Sequence, residues 1–258
     1  MKQKENPLKD FLLKGHLRYM PGVSVDNVIF GFHENQLKVL LLQANTGKFW
    51  MLPGGFVQKN EHIDEAAARV LQTRTGLDNI FLQQFHTFGQ PRRSSNKALI
   101  ETFHSLEVPY DHDHWLLQRF VSIGYYALVE YEKVHPQPDE LSRACTWHDL
   151  DKLPSLLLDH KEIIMKALEE LRLRLNYQPV GYNLLPEQFT MKNLQSIYET
   201  LLDRELDRAN FSRKILSFGI LDRKRKHFTG GAHKAPFLYS FNQKKYFRAL
   251  EKGLGRDF

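Results

Sequence analysis

The stretch GFVQKNE (residues 55–61), followed after seven residues by RVLQTRTGL (residues 69–77), decides the fold of this chain. Apolar side chains recur there at steps of three and four residues, at Ile63, Ala66, Ala67, Val70 and Leu71. This spacing puts them on one side of a helix, and a glycine at position 76 is a typical helix stop. The pattern predicts a helix over 63–75, preceded by the turn-forming sequence Pro-Gly-Gly at 53–55.

Six positions of this stretch, at fixed spacing, resemble the Nudix box. The family's pattern is a glycine, five residues, a glutamate, seven residues, and then Arg-Glu-apolar-any-Glu-Glu-any-Gly-apolar. The matching residues are Gly55, Glu61, Arg69, Leu71, Gly76 and Leu77. The resemblance implies an α/β/α sandwich, in which a mixed sheet lies between helices.

The stretch departs from the family's pattern where the hydrolases bind their metal. In those enzymes three glutamates on one helix face hold Mg²⁺, which helps to activate water on a diphosphate. The corresponding residues here are Val70, Thr73 and Arg74. A guanidinium roughly 4 Å from a metal cation adds about 4 kcal/mol of repulsion per unit charge at an effective dielectric of about 20. We therefore expect no catalytic residues, no bound metal and no cofactor, and we assign Glu65 and Arg69 to an ion pair on the helix surface.

Alternating and apolar runs predict strands on both sides of this stretch and an amphipathic helix after them. We expect strands at 23–32, 37–43, 80–88, 120–131 and 144–148, a turn at 33–36, and the helix at 159–175. Residues 89–118 are polar and rich in charge, so we interpret them chiefly as a loop inserted between two strands.

The C-terminal part has the element order of a winged helix-turn-helix. Two prolines and a glycine interrupt helical periodicity at 177–186, which marks a linker. Thr190 is placed to cap one helix and Asp207 a second, which Gly219 ends. A strand starting at 220, a basic tip at 222–236 and a strand at 237–241 follow. We therefore predict an α+β chain with an N-terminal extension (1–20), a Nudix-like sensor domain (21–176), the linker (177–186) and a winged helix domain (187–258).

Charge and composition narrow the partners and the class of protein. The net charge of +6 arises after residue 186, where the chain has 15 Lys and Arg against 8 Asp and Glu. Such a basic segment indicates an anionic partner. Cys145 is the only cysteine, which excludes an internal disulfide and a cysteine-ligated zinc finger. No apolar run reaches the roughly 18 residues of a membrane span and no secretory signal is visible, so we expect a cytoplasmic protein without membrane partners.

A Nudix-like domain with a broken box, joined to a basic winged helix, resembles the bacterial Nudix-related transcriptional regulators. The resemblance extends over nearly the whole chain outside 89–118 and the ends. It implies a ligand-responsive regulator of carbohydrate or NAD-related metabolism that binds double-stranded operator DNA. We rank a sugar or sugar phosphate ahead of an ADP-ribose-like effector, and we expect a homodimer because a single winged helix buries little surface.

The candidate site residues form two sets. The ligand-binding set, over which residues 89–118 are expected to act as a lid, is Trp50, Gly54, Gly55, Phe56, Arg69, Arg119 and Tyr125. The DNA-binding set contains donors for phosphates and base edges from the second helix and the basic tip. Its members are Arg208, Asn210, Ser212, Arg213, Lys214, Arg223, Lys224, Arg225, Lys226 and Lys234.

Two alternatives stay open at this point. The first is an active Nudix hydrolase of nucleoside diphosphate derivatives, whose basic C-terminal part attracts anionic substrate. The residues at the metal-binding positions argue against it. The second is a regulator whose Nudix domain serves only as a dimerisation scaffold, because a sequence does not display a ligand.

Overall fold

A computed structural model of the chain describes residues 7–45, 48–78, 80–91, 97–138, 142–175, 178–226 and 235–254. The chain divides into two compact units. The first unit comprises residues 1–30, 39–127 and 134–167, and the second comprises 31–38, 128–133 and 168–258. The division after residue 167 lies before the proposed linker at 177–186, whose bounds stay a prediction together with the other domain limits.

A seven-stranded sheet is the centre of the sandwich. Its strands are β1 (Tyr19–His33), β2 (Gln36–Ala44), β3 (Trp50–Met51), β4 (Gly54–Gln58), β5 (Leu82–Phe88), β6 (Val121–Val129) and β7 (Ser142–Asp149). The order is β3-β2-β1-β6-β5, with β4 paired to β1 and β7 paired to β2. Residues 25–31 of β1 and 39–42 of β2 are buried, since both strands lie in the middle of the sheet. The predicted turn between them is present, with Glu34 and Asn35 at positive φ.

Helix α2 (Ile63–Thr75) is the helix predicted from the box, with the same bounds. His62 and Glu65 form a capping box at its start, and Gly76 ends it in the left-handed conformation with φ 72°. The Glu65 carboxylate accepts from the backbone N–H of His62 at 2.9 Å. The predicted ion pair of Glu65 with Arg69 is therefore wrong, because the cap takes this carboxylate.

The N-terminal extension and the insertion form an α-helical layer that the sequence interpretation missed. Helix α1 (Pro7–Arg18) packs with α3 (Lys97–Ser105) and a short 3₁₀ turn at 115–117. Leu12, Phe103 and Val108 are buried in one common cluster. The loop interpretation of 89–118 is therefore wrong for these residues, because their scattered apolar side chains find partners on α1.

Helix α4 (His160–Arg174) follows as predicted, within one residue at each end. It has buried apolar side chains at Ile163, Ile164, Ala167, Leu168 and Leu171. The helix starts in the first unit and ends in the second.

The second unit contains the predicted winged helix. Its further elements are β8 (Phe189–Thr190), α5 (Met191–Leu202), α6 (Arg208–Ser217), β9 (Leu221–Lys226), β10 (Phe237–Phe241) and α7 (Gln243–Lys252). The strands form a sheet in the order β8-β10-β9. Thr190 caps α5 and Asp207 caps α6, as predicted. The tip does not begin at residue 222, because β9 pairs with β10 as far as Lys226, and α7 was not predicted.

None of the helices in the described ranges is long and apolar enough to cross a membrane.

Candidate functional site

A cavity of about 640 Å³ lies between α1 and the box in the first unit. The α1 side contributes residues from position 7 to position 19, and the box side contributes β4 and four residues of α2. Its lining residues are Pro7, Asp10, Phe11, Lys14, Gly15, Leu17, Arg18, Tyr19, Gly54, Gly55, Phe56, Gln58, Arg69, Val70, Thr73 and Arg74. Four residues of the predicted ligand-binding set line this cavity: Gly54, Gly55, Phe56 and Arg69.

The two glycines are needed because β4 approaches its neighbours closely. A Cβ atom at Gly54 would lie 2.6 Å from an oxygen of Asp26 on β1, and a Cβ atom at Gly55 would lie 2.6 Å from a methyl group of Val70 on α2. A side chain at position 54 would push β4 away from β1, and one at position 55 would push it away from α2. The Gly-Gly pair therefore determines the wall of the cavity.

The other three predicted ligand residues lie outside the lining. Trp50 donates from its backbone to Ser155 and packs edge-on against His148 at 4.3 Å. The Arg119 side chain donates to the backbone oxygen of Gly89. Tyr125 is only 2% exposed. The structure does not bring these three together with the cavity.

Tyr125 is also held within the core of the unit. Its hydroxyl donates to the carboxylate of Asp64, and its ring packs with Val25, Val57 and Ala67. Burial, together with the hydrogen bond to Asp64, raises the pKa of the Tyr125 hydroxyl. This tyrosine stabilises the contact of α2 with the sheet.

Arg69 forms an ion pair with Glu61, the second residue of this chain that matches the box pattern. Its Nε donates to Glu61 Oε1 at 2.6 Å, and its Nη2 donates to Oε2 at 2.8 Å and to the Phe56 carbonyl at 3.0 Å. Gln58 donates its backbone N–H to the same carboxylate at 2.9 Å. The hydrogen bond from Arg69 is the main cause that lowers the pKa of Glu61. The pair ties the loop after β4 to α2.

The metal-binding positions of the family do not fit a divalent cation here. Val70 is buried, and the Thr73 hydroxyl donates to the Arg69 carbonyl at 2.7 Å. Arg74 is 7% exposed and lines the cavity. Among the described residues, no group of three or more His, Cys, Asp or Glu side chains is arranged to hold a metal ion. The arrangement offers cationic and hydroxyl groups where a metal would need carboxylates.

Helix α1 is the part of the cavity that sequence reasoning missed. Pro7 at its first position and the helical spacing of the apolar residues Leu8, Phe11 and Leu12 were signals for a helix. No local signal shows where this helix packs. It is placed by Trp115, whose Nε1 donates to the Leu12 carbonyl at 3.1 Å and whose ring lies where a Cβ of Gly15 would be.

An aromatic cluster joins α1, the box and the insertion beside the cavity. Phe56 lies 5.7 Å from Phe11, 5.7 Å from Tyr19, 5.1 Å from Trp115 and 5.4 Å from Phe120, measured between ring centroids. These edge-on and tilted contacts fix the ring of Phe56 in place. The insertion therefore supports α1, and it is α1 that lines the cavity.

The second predicted set lies on α6 and β9 of the second unit. Helix α6 exposes Arg208, Asn210, Arg213 and Lys214, whereas Ser212 is half-buried. Phe211 and Ile215 are buried on the opposite side. The helix therefore presents a polar, basic face to solvent.

Strand β9 carries a second exposed basic group. Arg223, Lys224 and Arg225 are exposed, and Lys226 is half-buried. The guanidinium of Arg223 lies 3.4 Å from the ring centroid of Phe237 on β10, a cation–π contact that restricts its orientation. Lys234 lies outside the described residues.

Known proteins match both parts of the chain. A NUDIX domain model matches residues 20–171, and a model of the NrtR DNA-binding winged helix domain matches residues 181–241. The chain is 28% identical over 233 residues to the ADPR responsive transcriptional repressor NtrR of Acinetobacter baylyi, across 88% of this chain and 84% of the relative. It is 27% identical over 164 residues to an ADP-ribose pyrophosphatase of Methanocaldococcus jannaschii, across 62% and 79%.

A solved structure also matches both parts. Shewanella oneidensis NrtR complexed with a 27mer DNA has a TM-score of 0.68 and 25% identity, and the match covers 92% of this chain and 99% of that one. The predicted α+β class, with a Nudix-like sandwich and a winged helix domain, is confirmed by these matches.

Proposed function

The chain belongs to the Nudix family and carries an NrtR-type winged helix domain, and from this premise we propose that it is a transcriptional regulator whose Nudix-like unit binds ADP-ribose without hydrolysing it. One observation carries the proposal. The same chain has a cavity at a box without metal ligands and an exposed basic surface on α6 and β9.

The relatives support ADP-ribose ahead of the sugars that the sequence analysis ranked first. The Acinetobacter relative is named for its response to ADPR, and the Methanocaldococcus relative for ADP-ribose. The cavity, of about 640 Å³, is within the usual range for a site of a small organic ligand. Its box side has the glycines and the arginine that the sequence analysis selected.

DNA is the proposed partner of the second unit. In helix-turn-helix proteins the second helix enters the major groove, and here α6 exposes two arginines, a lysine and an asparagine. The basic residues of β9 are placed on a wing, where phosphate contacts position the protein. Because a single DNA-binding module of this kind buries only about 600–1,000 Å², we propose that a homodimer binds a near-palindromic operator.

Helix α4 is the proposed connection between effector and DNA. At its start, His160 Nδ1 accepts the backbone N–H of Leu52 at 2.9 Å, two residues before the cavity wall at Gly54. At its other end, Arg172 donates to the Leu201 carbonyl of α5 at 2.6 Å. A displacement of the cavity wall would therefore move the start of α4. The other end of α4 contacts α5 of the winged helix.

The linker after α4 is fixed within the second unit. The backbone N–H of Val180 donates to the hydroxyl of Tyr198 at 3.2 Å, and Tyr246 donates to the carbonyl of Pro179 at 2.9 Å. Burial raises the pKa of Tyr198 to about 12, so its hydroxyl stays protonated at neutral pH. A linker held in this way transmits a movement of α4.

Reciprocal binding measurements test the proposal. A duplex selected from a random pool is titrated with and without ADP-ribose, and ADP-ribose is titrated with and without the duplex. We expect the DNA affinity to change about 5- to 150-fold, and the effector affinity by the same factor, because coupling is reciprocal. A ligand that binds and leaves DNA affinity unchanged would favour the scaffold alternative. Absence of DNA binding would overturn the proposal.

Hydrolysis is the second candidate function, favoured by the retained pair of Glu61 and Arg69 and by the similarity to a pyrophosphatase. We propose that the protein lacks this activity because the metal-binding face is absent. Turnover of ADP-ribose with Mg²⁺ at about 1 per second or more would contradict this. Glutamates introduced together at 70, 73 and 74 form the complementary test, since activity gained there would show an intact pocket.

A further inference from the structure

The cavity between α1 and the box has an excess of cationic groups. Of its described lining residues, Lys14, Arg18, Arg69 and Arg74 are cationic, and Asp10 alone has a carboxylate. Arg69 and Lys14 each contact a carboxylate. Arg69 binds Glu61 through two hydrogen bonds. Lys14 lies 2.5 Å from Asp10 in a pair that is half-exposed on both sides, so solvent weakens it.

Arg18 and Arg74 approach the cavity from opposite walls. Arg18 is the last residue of α1 and is exposed, and its guanidinium lies 5.5 Å from the ring centroid of Tyr19. It is close enough to Glu61 to contribute to the lowered pKa of that carboxyl. Arg74 is buried on α2, at a position where the hydrolases have a metal-binding glutamate. The site has therefore replaced a carboxylate by a guanidinium and added a second one from the N-terminal helix.

On the basis of the proposed function, we infer that Arg18 and Arg74, with Lys14, bind the diphosphate of the effector directly and take the place of the divalent cation. Guanidinium groups match phosphate oxygens in a bidentate geometry and carry a permanent charge. The same charges repel Mg²⁺, so one arrangement favours the anion and disfavours the metal. The ligand class is an organic diphosphate, and its binding is independent of metal ions.

The position of α1 makes the N-terminal extension part of this site. Leu12 and Gly15 hold α1 against Trp115 through a hydrogen bond and a close ring contact. The insertion at 89–118 thus acts on the ligand through α1, and Trp115 is a positioning residue. A hydrolase that holds its substrate through carboxylates and Mg²⁺ does not need the positive side chains of α1.

The test measures ADP-ribose binding by calorimetry to the full chain, once in EDTA and once with millimolar Mg²⁺. We expect the two affinities to agree within about twofold. Arg18→Gln, an exposed change that leaves the core intact, should weaken binding about tenfold or more, because a charge-assisted contact is lost. Lys9→Gln is the matched control, since Lys9 is exposed on the same helix and lies outside the cavity lining. Arg74→Gln should have a similar effect, which Arg74→Lys should partly restore.

Inorganic pyrophosphate separates this inference from the proposed function. Pyrophosphate that binds in EDTA and is lost in Arg18→Gln supports the cationic site, even where ADP-ribose leaves DNA affinity unchanged and the proposed function fails. ADP-ribose binding that requires Mg²⁺, or that is unchanged in both Arg18→Gln and Arg74→Gln, overturns the inference and leaves the regulatory function standing. If neither ADP-ribose nor pyrophosphate binds, both are overturned.

Discussion

Helices α2 and α6 both carry arginines, but their guanidinium groups have different surroundings. Arg69 and Arg74 of α2 are turned into a cavity, and Arg69 is held by three hydrogen bonds to Glu61 and Phe56. Arg208 and Arg213 of α6 are exposed, and Arg213 donates a weak hydrogen bond of 3.3 Å to Asn210. The difference shows that the role of a charge is decided by what packs around it. On α2 the charges line a cavity, and on α6 they are exposed to solvent.

The largest effect is expected from the exposed charges of β9. The double change Lys224→Gln/Arg225→Gln removes the two proposed phosphate contacts, so we expect DNA affinity to fall about 30-fold at 0.15 M salt and the salt slope by about 1.8. Anisotropy titrations over a salt series measure both. Lys9→Gln/Lys161→Gln makes the same charge change in the first unit and is the control. An unchanged slope would show that these residues do not contact the DNA backbone.

Arg69→Ala and Arg213→Ala compare the two helices directly. Arg69→Ala leaves the carboxylate of Glu61, 12% exposed, with fewer donors, so the free energy of unfolding should fall by about 1.5 kcal/mol. Arg213→Ala should change it by less than about 0.5 kcal/mol, because it breaks no strong contact. Denaturant titrations give both values. If both variants lost the same free energy of unfolding, the arginines of α2 and α6 would not differ in their contribution to stability.

His160 tests whether the two regions are coupled through α4. His160→Leu removes the acceptor for Leu52, so the ratio of DNA affinities with and without ADP-ribose should fall from at least about fivefold towards one. His160→Gln retains an acceptor and should keep most of this ratio. Full coupling in His160→Leu, with the fold intact by circular dichroism, would exclude this route.

The smallest effect is the pH dependence of the Glu61 pair. Arg69 lowers the pKa of Glu61 below its usual 4.5, so the charged pair stabilises the fold above that pH. This contribution to stability begins to be lost as the pH falls below 4.5, and it is lost completely once the pH is below the lowered pKa of Glu61. The wild type should therefore lose more stability between pH 6 and about 3 than Arg69→Ala does. Parallel curves for the two proteins would mean that the pair does not affect acid stability.

Some parts of the protein were determined by the sequence itself. The limits of α2, the caps Thr190 and Asp207, and the order of the winged helix agree with prediction. These features depend on hydrogen bonds and apolar spacing within a few residues of one another. A single sequence therefore displays them before any packing is known.

Only the tertiary structure decided the make-up of the cavity. Glu61 reaches Arg69 across 8 residues of a turn and a helix, and Trp115 reaches Leu12 across 103 residues. The same packing puts Arg18 beside the box and leaves Trp50, Arg119 and Tyr125 outside the cavity lining. Such contacts depend on where the sheet positions the loops and helices that connect its strands. Residue types and their spacing along the sequence do not reveal these positions.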